Sequence, residues 1–316
     1  MMKTKFFSIA AVLLISMVLL TSGCSQIPMQ TNTLAYKVTT ETQRRVDWEG
    51  NSSNQPDSFT GGQTGNKVEV TFNQEIQNVD NQGNTIAKIT ITGLKYLLEE
   101  KNEMVTDFDD SRKEDQKNPL AALIGKSYTI EITPTGEVSK VIDINGTPVT
   151  VLENSSNNQA ALRLLSTDAI KKRHTISALP EVKINELTEG QTWSKIENFS
   201  FGWMGAKSYE KTYTLEKIEK SGNHRIATAR MNAIPSVEKA KELYQQQETS
   251  MFADISDNKD IFTGLLKLDL TTGQIEEYSE KLTAEWVIVD PNPQNPDRPA
   301  ALKMTSIQSY SIEKIE

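Results

Sequence analysis

One thiol, two imidazoles and a surplus of carboxylates are the groups in this 316-residue chain that could do chemistry. Cys24 is the only cysteine. That excludes an intramolecular disulfide framework and a cysteine-built structural zinc site. His174 and His224 have no His or Cys near them at metal-ligand spacing, and no His-Glu-x-x-His run occurs. Each histidine reads as a structural residue. The chain has no Gly-x-Ser-x-Gly elbow and no glycine-rich phosphate loop ending in Gly-Lys-Ser/Thr. Two acidic runs invite a calcium reading. A loop starting at Asp107 puts Arg112 where calcium loops need glycine and Asn118 where they need glutamate, and one starting at Asp254 puts Lys259 and Leu265 there. Both read as solvated acidic turns, so no metal and no cofactor is expected. Paired carboxylates could cleave a glycan across a gap of roughly 5–9 Å, yet among 42 acidic residues the sequence nominates no pair. Trp48, Trp193, Trp203 and Trp286 could stack on sugars; they read first as core or sheet-face residues. Phe199, Phe201 and Trp203 alternate, so all three leave one face of a strand. They form either ordinary core packing or the apolar wall of a ligand cavity.

The position of Cys24 gives it a chemistry that the other groups lack. Lys3 and Lys5 form a short positive segment, and Phe6 to Leu20 is apolar apart from Ser8 and Ser16. The run suits a secretory signal and is short for a transmembrane helix, which needs about 20 residues. Leu20-Thr21-Ser22-Gly23-Cys24 follows at once. Small residues before a cysteine resemble the lipobox read by lipoprotein signal peptidase, with Thr21 departing from its usual leucine. The resemblance implies cleavage before Cys24 and acylation of its thiol, a stable anchor once two or more chains are attached. Ser25 follows, not Asp, which by resemblance to sorting in diderm bacteria implies the outer membrane where the cell has one. Residues 1–23 thus read as a lipoprotein signal peptide and 24–33 as a polar tether.

The elements that would position any site are mostly strands. Val68, Val70 and Phe72 alternate with polar residues, Asp80 to Asn84 is a turn, and Ile86 to Ile91 returns. Tyr128, Ile130 and Ile132 lead into Pro134-Thr-Gly136, and Val138 to Ile144 returns. Residues 49–66 hold one apolar side chain, Phe59, and read as a long loop. Ser156-Asn-Asn-Gln159 resembles a capping box. Leu162, Leu165 and Ala169 then recur at helical spacing, and Lys171-Lys172-Arg173 falls in the last turn, where cations suit the helix dipole. That basic run reads as a helix end, not an anion site. A second helix is expected from Ser236, and Asp290 to Pro299, with its prolines, as a stiff loop between strands. Two segments resemble each other: Ser127 to Val141 around Gly136, and Leu265 to Tyr278 around Gly273. Each is strand, Thr-Gly turn, strand, and each follows a Tyr/Thr-rich strand, at Tyr36 and at Tyr209. The apolar parity before the glycine is shifted by one residue, so the turns should differ in type or length.

These features define a mainly β (α+β) fold of curved antiparallel sheets in two related halves, with one or two helices. The halves are expected at 34–150 and 181–316, with 151–180 as a helical connector. Leu123-Ile-Gly125-Lys-Ser-Tyr-Thr-Ile-Glu-Ile-Thr-Pro-Thr-Gly136-Glu-Val, Leu179-Pro180 and Gly190-Gln-Thr-Trp193 resemble a family of β-rich bacterial envelope lipoproteins that form a domain of unknown function. The resemblance spans about residues 34–316, rests on turn glycines and strand residues, and transfers no functional residues. More distantly, the architecture is similar to the half-barrel lipid and lipoprotein carriers of the envelope. With 34 basic and 42 acidic side chains the formal charge is −8, and loss of Lys3 and Lys5 with the signal takes it to −10. Such a body repels nucleic-acid phosphates and anionic headgroups unless a local basic patch reverses the field. No basic stripe is visible in the sequence. The expectation is a non-catalytic, membrane-anchored envelope lipoprotein that binds an apolar or amphipathic ligand or assists envelope assembly. A scaffold that binds an envelope protein and a glycan hydrolase are the alternatives.

Overall fold

Apolar–polar alternation carries twelve strands among the described residues: β1 (Thr33–Glu49), β2 (Gly62–Val79), β3 (Thr85–Glu100), β4 (Glu103–Asp109), β5 (Ser127–Ile132), β6 (Val138–Asn145), β7 (Thr192–Ser200), β8 (Ala206–Ser221), β9 (His224–Pro235), β10 (Ile255–Asp269), β11 (Ile275–Val289) and β12 (Ala301–Ile315). The computed structural model describes residues 33–49, 61–145, 156–182, 184–201, 206–236, 255–289 and 301–315. Cys24, Trp203, the helix expected after Ser236 and the proline-rich loop lie outside the described residues.

The expected mainly β fold is present as one open antiparallel sheet, in the order β6-β5-β3-β2-β1-β12-β11-β10-β9-β8-β7. The chain runs as two meanders whose first and last strands pair. β1 and β12 align from Ala35 opposite Ile315 to Glu49 opposite Ala301. Two halves therefore share one sheet, because these central strands are long enough to pair almost end to end. On its other side β3 divides its length, pairing β5 through Thr85–Thr90 and β4 through Lys95–Glu100. The segment expected as a loop to residue 66 is shorter: β2 already starts at Gly62, and Gln63 to Asn66 pair with β1. Backbone pairing extends that ladder, and on the other side the Asn102 side chain accepts from the Gln63 N–H at 2.9 Å.

The two Thr-Gly hairpins differ as the shifted parity requires. Thr133 N–H donates to Glu137 O across Pro134-Thr135-Gly136, whereas Asp269 N–H donates to Gln274 O across the longer Leu270 to Gly273. Both glycines hold a left-handed backbone, φ 83° at Gly136 and 73° at Gly273. Only Gly136 is crowded as well: a Cβ there would stand 2.4 Å from the Ile176 carbonyl oxygen.

The sheet is strongly bent. β7 and β10 lie three strands apart, roughly 14 Å on a flat sheet, yet the Phe199 and Phe262 rings are 5.4 Å apart. Small and large side chains alternate on the inner face there: β9 presents Ala227, Ala229, Met231 and the half-buried Ala233, and β10 presents Gly264 opposite Met231, between Phe262 and Leu266. Inside the curve lie two helices in place of the single one expected, α1 (Ser156–Leu164) and α2 (Thr167–His174). The break has a local cause, since the Ser166 hydroxyl accepts from the Ala169 N–H at 3.2 Å and caps α2. Leu162, expected on the apolar face, is exposed, and Ala160, Ala161 and Ile170 are buried instead.

The basic run does end α2, but Arg173 and His174 are buried in the core. The His174 ring stands edge-on to Phe72 at 4.7 Å. Arg173 donates to the Tyr128 hydroxyl at 3.1 Å, and that hydroxyl lies 2.6 Å from His174 Nε2. A hydroxyl that accepts from arginine gives its own proton onward, which makes Nε2 the acceptor and places the ring proton on Nδ1. Burial, and secondarily the Arg173 charge, pushes the His174 pKa well below 6.5. The unfolded chain therefore takes a proton near pH 6.5 that the fold refuses. Stability is complete above pH 6.5 and falls below it, by up to about 1.4 kcal/mol per pH unit for one proton, until the folded pKa is reached. We expect the stability gap between wild type and His174→Gln, measured by urea unfolding, to narrow as pH falls from 7.5 to 5.5. Parallel profiles for the two proteins would contradict this assignment.

Candidate functional site

The inner face of the bend carries charge where alternation calls for apolar residues. On β8 the inward set is Lys207, Tyr209, Lys211, Tyr213 and Leu215. Strand β7 adds Glu197 on the phase of Trp193 and Phe199, and β11 adds Glu280 on the phase of Tyr278 and Leu282. Lys211 is fully buried, and its ammonium donates to Glu197, to Glu280 at 3.0 Å and to the Ser177 hydroxyl at 2.8 Å. Three donors and three acceptors satisfy the ammonium completely. Glu280 also accepts from the Tyr278 hydroxyl at 2.5 Å. A second pair lies nearby: Lys207 donates to both oxygens of Asp260 at 3.0 Å, Tyr209 donates to the same carboxylate at 2.8 Å, and the ammonium sits 4.4 Å from the centre of the Trp286 ring.

Electrostatics follows from this burial. Desolvation raises the pKa of Glu197 against the pull of Lys211, and the Glu280 charge adds to the rise. Desolvation also works against the Lys211 ammonium, but Glu280, Tyr213 and Glu197 outweigh it and hold the proton more firmly than in water. Burial first, then the Glu280 charge, pushes the Tyr278 and Tyr310 hydroxyls up, so both remain protonated donors at neutral pH.

Three cavities adjoin one another on this face, and Thr42 borders all of them. One, of about 160 Å³, is bounded by Glu197, Phe199, Phe262, Glu280 and Tyr310. Another, of about 250 Å³, lies between α1–α2 and the buried Val38, Val68 and Val70. The largest, of about 430 Å³, reaches Tyr96, Leu98, Arg44, Arg163 and Phe201. That volume lies within the usual range for small-molecule sites. Phe199 and Phe201 thus border different cavities, with their rings 6.5 Å apart. Each also packs on the core, Phe199 on Phe262 and Phe201 on Trp286 at 4.9 Å.

The residues tested for chemistry in the sequence take structural places. His224 Nδ1 lies 2.7 Å from Asp269 at the start of β9. The Asp107–Ser111 turn is bound internally: Asp107 pairs with Arg112, Asp109 accepts from Ser111, and Asp110 accepts from the Leu94 N–H. Among the described residues, no group of three or more His, Cys, Asp or Glu is placed to hold a metal ion. The inward charges escaped the sequence reading, although strand phase marked them. Lys211 sits between Tyr209 and Tyr213, and Glu280 between Tyr278 and Leu282, at positions where alternation alone predicts burial.

No protein-family model and no curated protein matches the sequence. Among solved structures, P47 from Clostridium botulinum A2 is similar at 9% identity and a TM-score of 0.17, covering 85% of this chain and 81% of that one. Pseudomonas aeruginosa OpdQ is similar at 8% identity and a TM-score of 0.18, covering 88% and 97%. At such scores neither likeness bears on fold or function.

The Lys211 cluster makes a sharp prediction. Removing one partner of a buried ion pair leaves the others uncompensated and typically costs about 3–5 kcal/mol. Lys211→Met should destabilise the protein by that order at pH 7 in urea unfolding. The loss should shrink as pH falls towards 5, because burial raises the pKa of the abandoned Glu197 and lets it take up a proton. An unchanged unfolding midpoint would show that the cluster contributes nothing.

Proposed function

We propose that this chain is a lipid-anchored envelope protein whose bent sheet holds an apolar or amphipathic ligand on its inner face, without catalysing a reaction on it. The observation that carries the reading is the set of adjoining cavities floored by Val38, Val68 and Val70 and flanked by Phe199 and Phe201. Concave, mainly apolar space with a few convergent polar groups is the usual form of a small-molecule site. The membrane enters through Cys24, whose thiol is the acyl acceptor in the lipobox resemblance.

A glycan hydrolase would need two free carboxylates across a cleft and an exposed tryptophan. Glu197 and Glu280 border one cavity, but they share the Lys211 ammonium. Trp286 is buried, and the half-buried Trp193 donates its indole N–H to the Ala178 carbonyl at 2.8 Å. These arrangements favour the binding reading over hydrolysis.

Organic extraction of the full-length protein, purified without added lipid, tests the ligand by mass spectrometry. A stoichiometric amphiphile is expected. Extracts free of one, from protein that also takes up no fluorescent apolar probe, would leave a scaffold role instead.

The anchor has its own test. Wild type should incorporate labelled palmitate, and Cys24→Ser should incorporate none, because serine offers only a weaker hydroxyl nucleophile in place of the thiol. Membrane sedimentation alone does not decide, since an uncleaved apolar segment can also hold the variant. Equal labelling of the two proteins would overturn the lipoprotein reading.

A further inference from the structure

The two larger cavities have an electrostatic character opposite to that of the whole chain. Acidic residues outnumber basic ones by 42 to 34. Even so, no Asp or Glu borders either cavity, whereas Arg44, Arg163, Lys172 and Arg173 do. Among the described residues, none of these four cations makes an ion pair with a carboxylate. Lys172 feels the Glu197 charge only at a distance.

Arg173 is the strongest indication. Its residue is 5% exposed, and its guanidinium donates to two neutral acceptors, the Tyr128 hydroxyl and the Leu164 carbonyl at 2.8 Å. A guanidinium has five N–H donors, and among the described residues no carboxylate answers its charge. Buried cations are ordinarily paired, because desolvation without a counter-charge is strongly unfavourable. Here the unpaired guanidinium borders a cavity, with Lys172 on the same helix and Arg163 on the preceding one. Thr40, Thr42 and Asn66 add hydrogen-bonding groups to the same wall. Beneath them lies the apolar floor of Val38, Val68 and Val70, and the adjoining cavity continues past Leu98 to Phe201.

We infer that the inner face takes an amphipathic anion, with a carboxylate or phosphate head on Arg163, Lys172 and Arg173 and an aliphatic tail over the Val38–Val68–Val70 floor towards Phe201. The inference rests on the binding reading above and narrows it to charged amphiphiles. A charge-assisted head contact and a buried tail are separable contributions, and each has its own probe.

Displacement of a bound neutral fluorophore, N-phenyl-1-naphthylamine, from the full-length protein tests both. Decanoate and decyl phosphate should compete at concentrations at least about tenfold below that of decanol, which has the same chain and no charge. Inorganic phosphate should not compete. Whichever of the two anions is stronger identifies the head. Arg163 and Lys172 are exposed, so the Arg163→Gln/Lys172→Gln protein should fold normally. It should lose about tenfold in affinity for the anions while binding decanol as before. Decanol competing as well as the anions, or a double variant with unchanged anion affinity, would overturn the anionic head while keeping the apolar groove. Inorganic phosphate competing as strongly as decyl phosphate would overturn the tail. Failure of all three decyl compounds to compete would overturn the groove reading itself.

Discussion

An ammonium taken out of water must be paired, and the pairing of Lys211 dictates where three strands of the sheet can lie. Its partners come from β7 and β11, which are separated in the sheet by β8, β9 and β10. They can meet one ammonium only if the sheet curls. Between them β9 and β10 line the inside of the curl with Ala227, Ala229 and Gly264 beside the larger Met231, Phe262 and Leu266. With the bend set, Phe199 reaches Phe262 and Phe201 reaches Trp286. The helices then occupy the concave side over β1 to β3. A well-packed apolar cluster could hold the same strands together with equal or greater stability. What the ion cluster adds is geometry, since an ammonium with three acceptors tolerates little sliding between strands.

The same face treats its buried cations in two ways. Lys207 and Lys211, on the β7–β11 side, are fully answered by Asp260, Glu197 and Glu280. Among the described residues Arg173, on the helical side, donates to neutral acceptors alone. The difference does not follow from a shortage of acids in the chain. It follows from strand phase: the inward positions of β1, β2 and β3 near α2 are Val38, Val70, Phe72 and Leu94, which have no carboxylate to offer. The fold thus keeps one region electrically closed and the other open to an anion from outside.

How much of this could be read from the sequence depends on what each residue type leaves open. Alternation placed β2, β3, β5, β6 and the β10–β11 hairpin, because a period of two admits few other arrangements. The parity shift between the Gly136 and Gly273 hairpins had a geometric cause and was visible for that reason. Ser166 was harder to read. It stands inside a helical periodicity, and a serine there serves equally as an exposed interior residue or as a cap. The extent of β2 from Gly62 was illegible because polar side chains reveal nothing about a ladder made by backbone groups. The two charge clusters fell between these cases. Phase placed Lys211 and Glu280 inside, but which acid meets which base is fixed only when distant strands curl together. Arg173 looked like an ordinary helix end because the favourable helix-dipole position explained it without burial.

Charge at a distance and charge at contact therefore point in opposite directions. The Debye length in physiological salt is about 8 Å, so a ligand approaching through solvent meets the acidic exterior in a screened form. Inside the cavity beneath α1 and α2 it meets Arg163, Lys172 and Arg173 and no carboxylate; Glu197 and Glu280 border the smaller cavity beyond Lys172. A space of about 250–430 Å³ is too small to admit a polyanion such as nucleic acid. A single anionic head with a narrow tail can leave that field behind, and each buried methylene then adds about 0.8 kcal/mol. On this reading the net negative charge and the internal cations serve one purpose together: the first discourages extended anionic surfaces, and the second retains one small amphiphile.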